Sequence, residues 1–452
     1  DNYYLAMPYL KAIQEGKYTT RELDEKVRRV LRLYYRTTMN QHRPHGFLCS
    51  EDHYLTAKQI AEEGIVLLQN KNRILPLNTQ KVRRVLVVGE NAIKMMTVGG
   101  GSSSLKVQKE ISPLQGLKER LGKDGIEVEY VRGYVGDVTG AYNGVTTGQN
   151  LEDKRSEAEL IAEAVAKAKT VDYVVMFGGL NKSDYQDCEG HDRQQYELPY
   201  AQNKLVTALA AANKNFVYVN ISGNAVAMPW KDKVPAIVQG WYLGSEAGDA
   251  LASVLTGDVN PSGKLPFTWV RSLQDVGAHA LNTYPGTWRL EGGAQTKGNI
   301  IDEEYKEGIY VGYRWADKKK QRPVFAFGHG LSYTQFAITN LKADKATMTA
   351  NDSISFTVQV KNIGQRAGSE IVQLYVHDVK ASVDRPLKEL KGFQKVSLLP
   401  GESKDVTITL GKDALSFYDE TSAAWKAEAG QFEAWVGNAS DNLKLKKTFE
   451  LK

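Results

Sequence analysis

Cysteine is scarce in this chain: Cys49 and Cys188 are the only two in 452 residues, and they lie far apart. That excludes a disulfide framework and a zinc quartet, and it leaves the redox compartment open. Long apolar runs are missing too. The longest, such as Val171–Leu180, reach about ten residues, where a membrane-spanning helix needs about 20. Neither sign of charge dominates. The formal net charge is +5, and the one basic run, Lys318-Lys319-Lys320, is expected in a loop. A basic nucleic-acid footprint is therefore not supported, and no nucleic acid is expected as a partner. No internal repeat or low-complexity tract is evident. The first residues carry no signal-peptide pattern, which has little weight because the chain reads as beginning partway through a protein.

With 42% hydrophobic and 25% charged residues the composition is that of a soluble globular protein, and the length suggests two or three domains. The opening forty residues read as helical. Thr19 and Glu22 fit a capping box, and Leu23, Val27, Val30, Leu31 and Tyr34 form an apolar stripe at helical spacing. Helices alone over so short a stretch cannot close a core, so they look like the tail of a domain whose body lies elsewhere.

From about residue 55 to 257 strand-like runs alternate with helical patterns. Strands are expected at Arg84–Gly89, Ile126–Val131, Asp172–Gly178, Phe216–Ile221 and Ala236–Trp241. Helices are expected at Ser112–Leu121, Glu157–Lys169, Tyr200–Ala212 and Ser245–Leu255. The strands are too apolar to face water, which predicts a mainly parallel sheet covered on both sides. Ligands of such sheets meet the loops at the carboxyl ends of strands. Two loops stand out there: VGENAIKMMTVGGGSSSLKV after the first strand, and NKSDYQDCEGHDRQQYELP after the third. From about Phe336 apolar and polar residues alternate between turn residues, which predicts an antiparallel β-sandwich of immunoglobulin or fibronectin type with no evident cluster of exposed aromatics.

The glycine-serine loop lacks both the phosphate-loop spacing and the dinucleotide fingerprint, so nucleotide binding is disfavoured. Its glycines let the backbone approach a ligand, and its serines could hydrogen-bond a polyhydroxyl ligand; a flexible turn is the bland alternative. The second loop places five carboxylates between Asn181 and Glu197, with Cys188 and His191 among them. Paired zinc-ligand spacings and the EF-hand pattern are both missing, which disfavours metal. Cys188 sits between Asp187 and Glu189, which would raise its pKa, so it reads as a small buried side chain. Asp192 and Arg193 could pair and fix the loop. Glu189 before Gly190 could present a general acid/base, although a lone glutamate in a polar loop is usually just solvated.

Taken together, GIVLLQNKNRILPL, GGGSSSL, CEGHDRQQYELPYAQNKLV, GWYLGSEAGDALASVLTGDVNPSGKLPFTW, EGIYVGYRW, VFAFGHGLSYTQF and GSEIVQLYVHDVKASVDRPLKELKGFQKVSLLPGES resemble glycoside hydrolase family 3 across nearly the whole chain. The resemblance implies the last helices of a (β/α)8 barrel over 1–45, an α/β sandwich domain over 46–320, and a connector with a fibronectin type III-like domain over 321–452. It implies a retaining exo-β-glycosidase, β-glucosidase first and β-xylosidase next, acting on oligosaccharides or aryl and alkyl β-glycosides. A non-catalytic carbohydrate-binding module is the competing reading. Matching the family's Glu-Gly-x-Asp-Arg segment puts the acid/base on Glu189 and recasts Asp192 and Arg193 as loop supports. The glycine-serine loop points to Ser102, Ser103 or Ser104 as hydroxyl contacts, with Ser102 favoured and Ser103 next. The family's nucleophile lies in a Ser-Asp-Trp-like segment of the barrel, and that segment is not found here, so the chain alone is expected to be inactive and to need its barrel as partner. No cofactor or metal is expected, a homodimer is one expected arrangement, and the location implied is periplasmic or secreted. Trp230, Trp241 and Trp269 are expected in core packing rather than as sugar platforms.

Overall fold

The computed structural model describes residues 6–97, 102, 105–136, 148–189, 191–291, 294–295 and 300–452. The chain divides into two compact units, residues 1–51 and 52–452.

The first unit holds helices α1 (Met7–Gln14) and α2 (Thr20–Arg36). The expected capping box is present: the Thr19 side chain accepts from the first-turn backbone, and Glu22 reaches back to the Thr19 amide at 3.1 Å. The expected stripe forms on α2, but it is exposed, with Val27, Val30, Leu31 and Tyr34 each about half accessible. Neither α1 nor α2 has a buried residue.

The second unit begins within α3 (Glu51–Gly64), which leads to β1 (Val66–Asn70), and α/β alternation follows. The elements are β2 (Arg84–Val88), α4 (Pro113–Gly122), β3 (Glu127–Val131), α5 (Glu157–Ala168), β4 (Tyr173–Gly179), α6 (Gln202–Ala212), β5 (Phe216–Ile221), β6 (Ala236–Gln239) and α7 (Ala247–Thr256). They build a six-stranded sheet in the order β1-β6-β5-β4-β2-β3. Strands β2 to β6 run parallel, and β1 pairs antiparallel with β6 at the edge. Along the inner strands both faces are buried, with successive side chains pointing to opposite sides. Val85 and Val87 enter one core cluster, Leu86 and Val88 the other, and all four are inaccessible. Trp230 and Trp269 lie in the second cluster as expected, and the half-buried Trp241 packs against it with its indole N–H donating to Gly64 O at 2.8 Å.

Beyond the sheet come α8 (Gly277–Ala280), the short strands β7 (Thr287–Trp288), β8 (Leu290–Glu291), β9 (Ala294–Gln295) and β10 (Ile301–Asp302), and α9 (Tyr313–Lys319). The lysine run expected in a loop instead ends α9: Lys318 and Lys319 occupy its last turn, where cations complement the helix dipole.

The sandwich has a three-stranded sheet of β11 (Phe336–Ala343), β13 (Ser353–Asn362) and β16 (Ser403–Gly411). Its five-stranded partner contains β12 (Thr347–Met348), β20 (Leu443–Leu451), β19 (Gly430–Gly437), β14 (Gly368–Asp378) and β15 (Glu389–Leu398). Period-two burial along β13 puts Ile354, Phe356, Val358 and Val360 inside. One expectation fails here. The hairpin of β17 (Phe417–Asp419) and β18 (Ala424–Lys426) pairs exposed Tyr418 with exposed Trp425, ring centroids 5.7 Å apart. Those residues alternate too briefly to stand out in the sequence, and only the hairpin register brings them together.

Candidate active site

Because β2, β4, β5 and β6 are parallel neighbours, the loops after them gather at one edge of the sheet. The loop after β4 is anchored where it leaves the strand. The buried Gln202 side chain, on the first turn of α6, donates to Gly179 O and accepts from Gly179 N, both at 2.8 Å. Gly179 has φ +116°, and a Cβ there would lie 2.1 Å from Ile221 O, so no other residue fits. Asn91, after β2, donates to Leu180 O at 2.9 Å and joins the two loops.

Asp187 is the hub of the β4 loop. Its Oδ2 accepts from Gly223 N at 2.7 Å, after β5, and from the Tyr242 hydroxyl at 2.9 Å, after β6. Burial, with Asp187 beside it, pushes the Tyr242 phenol well above its ordinary value. Lys182 lies over the Tyr242 ring at 5.0 Å, and burial lowers its pKa.

Downstream, Arg193 and Asp192 do not pair. Arg193 instead donates to Ala225 O at 2.7 Å and stacks over Tyr196 at 5.6 Å, while burial lowers its pKa. Asp192 accepts from the Tyr284 hydroxyl, and this bond raises the Tyr284 pKa to about 12. Adjacent side chains in an extended loop diverge, so each finds a partner on a different neighbouring segment. Both residues therefore brace the loop, but by separate routes.

Glu189 projects from this braced loop and is exposed. Its Oε2 accepts from the backbone N–H of Ser102 at 2.5 Å. Hydrogen bonding from Ser102, by its side chain first and its amide second, holds the Glu189 carboxyl below the usual glutamate value. This is the reverse of the raised value a proton donor needs, because the Ser102 donors outweigh the small desolvation that an exposed carboxylate feels. Ser103 and Ser104 lie outside the described residues, as does Gly190.

The other residues of the stretch also depart from expectation. Cys188 is half-buried rather than buried, and its thiol points to His191 O at 3.6 Å. His191 stacks on Tyr185, ring centroids 4.9 Å apart, and its Nδ1 is 3.4 Å from Asp184 Oδ1. Asp184, Cys188 and His191 each bring a ligand atom within 4.8 Å of the others. Sequence spacing disfavoured a metal reading of Cys188 and His191 with nearby acids, and the turns of a loop rather than a helical or knuckle repeat bring this set together. Spacing missed Asp187, whose partners lie 36 and 55 residues away.

Residues 65–313 match the Glycosyl hydrolase family 3 C-terminal domain, and residues 370–440 match the Fibronectin type III-like domain. The chain belongs to glycosyl hydrolase family 3. Beta-glucosidase BoGH3A of Bacteroides ovatus is 47% identical over 463 residues, covering all of this chain and 58% of the relative. Thermostable beta-glucosidase B of Acetivibrio thermocellus is 37% identical and covers 97% of this chain and 54% of the relative. The chain thus spans little more than half the length of these relatives. Among solved structures, the GH3 beta-glucosidase of Bifidobacterium adolescentis superposes with a TM-score of 0.82 at 32% identity, covering 98% of this chain and 60% of that one. The beta-glucosidase 3B of Thermotoga neapolitana, solved with α-D-glucose, gives 0.80 at 29% identity, over 98% and 60% of the two chains. The fold of a family 3 α/β sandwich domain followed by a fibronectin type III-like sandwich is therefore the family's own.

Proposed function

We propose that this chain is the carboxyl-terminal part of a retaining exo-β-glycosidase, a β-glucosidase, in which Glu189 is the general acid/base. The observation that supports this most is the meeting of Glu189 with Ser102. The two residues come from separate motifs, and they touch at the carboxyl ends of parallel strands in a chain whose relatives are named beta-glucosidases. The nucleophile, an aspartate, would come from a barrel outside these 452 residues.

In the first step the Glu189 carboxyl gives its proton to the glycosidic oxygen. As the bond from that oxygen to the anomeric carbon breaks, the aspartate carboxylate bonds to the carbon. In the second step the Glu189 carboxylate takes a proton from water, whose oxygen attacks the anomeric carbon and releases the aspartate. Retention requires the two carboxyls to lie about 5–5.5 Å apart.

The acid role needs a higher Glu189 pKa than Ser102 allows. An ionised nucleophile nearby and the exclusion of water by substrate both raise it. A sugar hydroxyl that takes over the Ser102 contact would also free the carboxyl to be protonated. Ser102 would then hold Glu189 ionised while the site is empty and bind substrate when it is filled. Terminal non-reducing β-D-glucosyl residues are the substrates on this reading, and the location is periplasmic or secreted, in keeping with the Salmonella typhimurium relative named "Periplasmic beta-glucosidase". The test is Glu189→Gln in the full-length protein, assayed with aryl β-glucosides of good and poor leaving groups. Selective loss with the poor leaving group supports the role.

A further inference from the structure

We propose that Asp184, Cys188 and His191 form a binding site for a divalent ion of the zinc type, on the same loop as Glu189. The donor chemistry selects the ion. A thiolate, an imidazole and one carboxylate suit a borderline-soft metal, whereas calcium and magnesium ask for mostly oxygen ligands. Three protein donors leave a fourth position for water, as in open zinc sites.

Geometry supports this. The three donor atoms lie within 4.8 Å of one another, and His191 Nδ1 is already 3.4 Å from Asp184 Oδ1. Ligand bonds of about 2.0–2.3 Å place the donors of a tetrahedral site about 3.3–3.7 Å apart, so closing round an ion takes a shift of about 1 Å. Asp184 and His191 are exposed and Cys188 is half-buried, so there is room for that shift, in which the Cys188 thiol exchanges its contact with His191 O for the ion. Tyr185 stacks on the His191 ring at an interplanar angle of 20° and fixes its plane.

An ion held there would grip the loop on both sides of Glu189, through Cys188 before it and His191 after it. Slowed hydrolysis by the whole enzyme would follow. That consequence rests on the proposed role of Glu189; the binding does not.

The test therefore reads binding alone. The 452-residue chain carrying Cys49→Ser, so that Cys188 is its only thiol, is titrated with Co2+ under reducing conditions. The expected result is a saturable sulfur-to-cobalt charge-transfer absorbance that Zn2+ displaces. It should vanish on adding Cys188→Ser, and affinity should fall about tenfold or more with His191→Ala or Asp184→Asn. Cys49, Asp184 and His191 are exposed and Cys188 is half-buried, and matched thermal melting of the variants confirms that the fold is kept. Absence of the charge-transfer absorbance, its survival in Cys188→Ser, or unchanged affinity in His191→Ala would overturn the proposal.

Discussion

The Ser102 amide donates to Glu189 Oε2 at 2.5 Å and joins the loop after β2 to the loop after β4. This contact ties the proposed acid/base to the loop proposed to hold sugar. It makes the charge of Glu189 depend on what else Ser102 is bonded to.

The first consequence is a measurable pKa. Carboxyl-carbon NMR titration of the chain should place Glu189 below its ordinary value of 4.5. Ser102→Ala removes the larger of the two stabilising hydrogen bonds and should raise it. A lowered folded-state pKa means the tether adds stability above the unfolded pKa and loses it as pH falls through the folded one. A Glu189 value at or above the ordinary one, unmoved in Ser102→Ala, would contradict this.

Asp187 should matter more to the loop than any other acid in the stretch. Asp187→Ala leaves Gly223 N without its acceptor and the Tyr242 hydroxyl with only the longer bond to Asn181 O at 3.3 Å, at a cost of about 1–3 kcal/mol. Amide exchange at Gly223 should quicken and the melting temperature fall. Asp187→Asn retains an acceptor oxygen and should recover part of both.

Gly179 tests the link between β4 and the loop it launches. Gly179→Ala sets a Cβ against Ile221 O in a left-handed backbone region, and should destabilise the chain by about 2 kcal/mol or more. Urea unfolding of the variant checks this.

A fourth expectation concerns the chain by itself. Purified residues 1–452 should release no p-nitrophenol from an aryl β-glucoside above the uncatalysed rate, because the proposed nucleophile lies outside them. Clear first-order release would show that another carboxylate here can serve.

Much of the fold was legible in the sequence. All five expected strands and four expected helices of the α/β region appear within about two residues of their ends, since mostly apolar runs alternating with amphipathic segments admit few other readings. Edge strand β1 was not foreseen. Its apolar run, Val66 to Leu68, is too short to fix a strand, and its pairing with β6 is set some 170 residues away. The site was half legible. Glu189 and Ser102 came from a family resemblance, and spacing alone would have left Glu189 a solvated acid. The Asp187 hub, the Asp192–Tyr284 bond and the Asp184–Cys188–His191 cluster depend on how loops fold back, which no periodicity records.

The central claim, that Glu189 is the proton donor, is tested most directly by Glu189→Gln in the full-length protein. The measurement is kcat for a pair of aryl β-glucosides with strongly activated and unactivated leaving groups. The account predicts a loss of about 10²–10⁴-fold for the unactivated substrate and a much smaller loss in glycosylation of the activated one. Near-wild-type turnover of the unactivated substrate would contradict it.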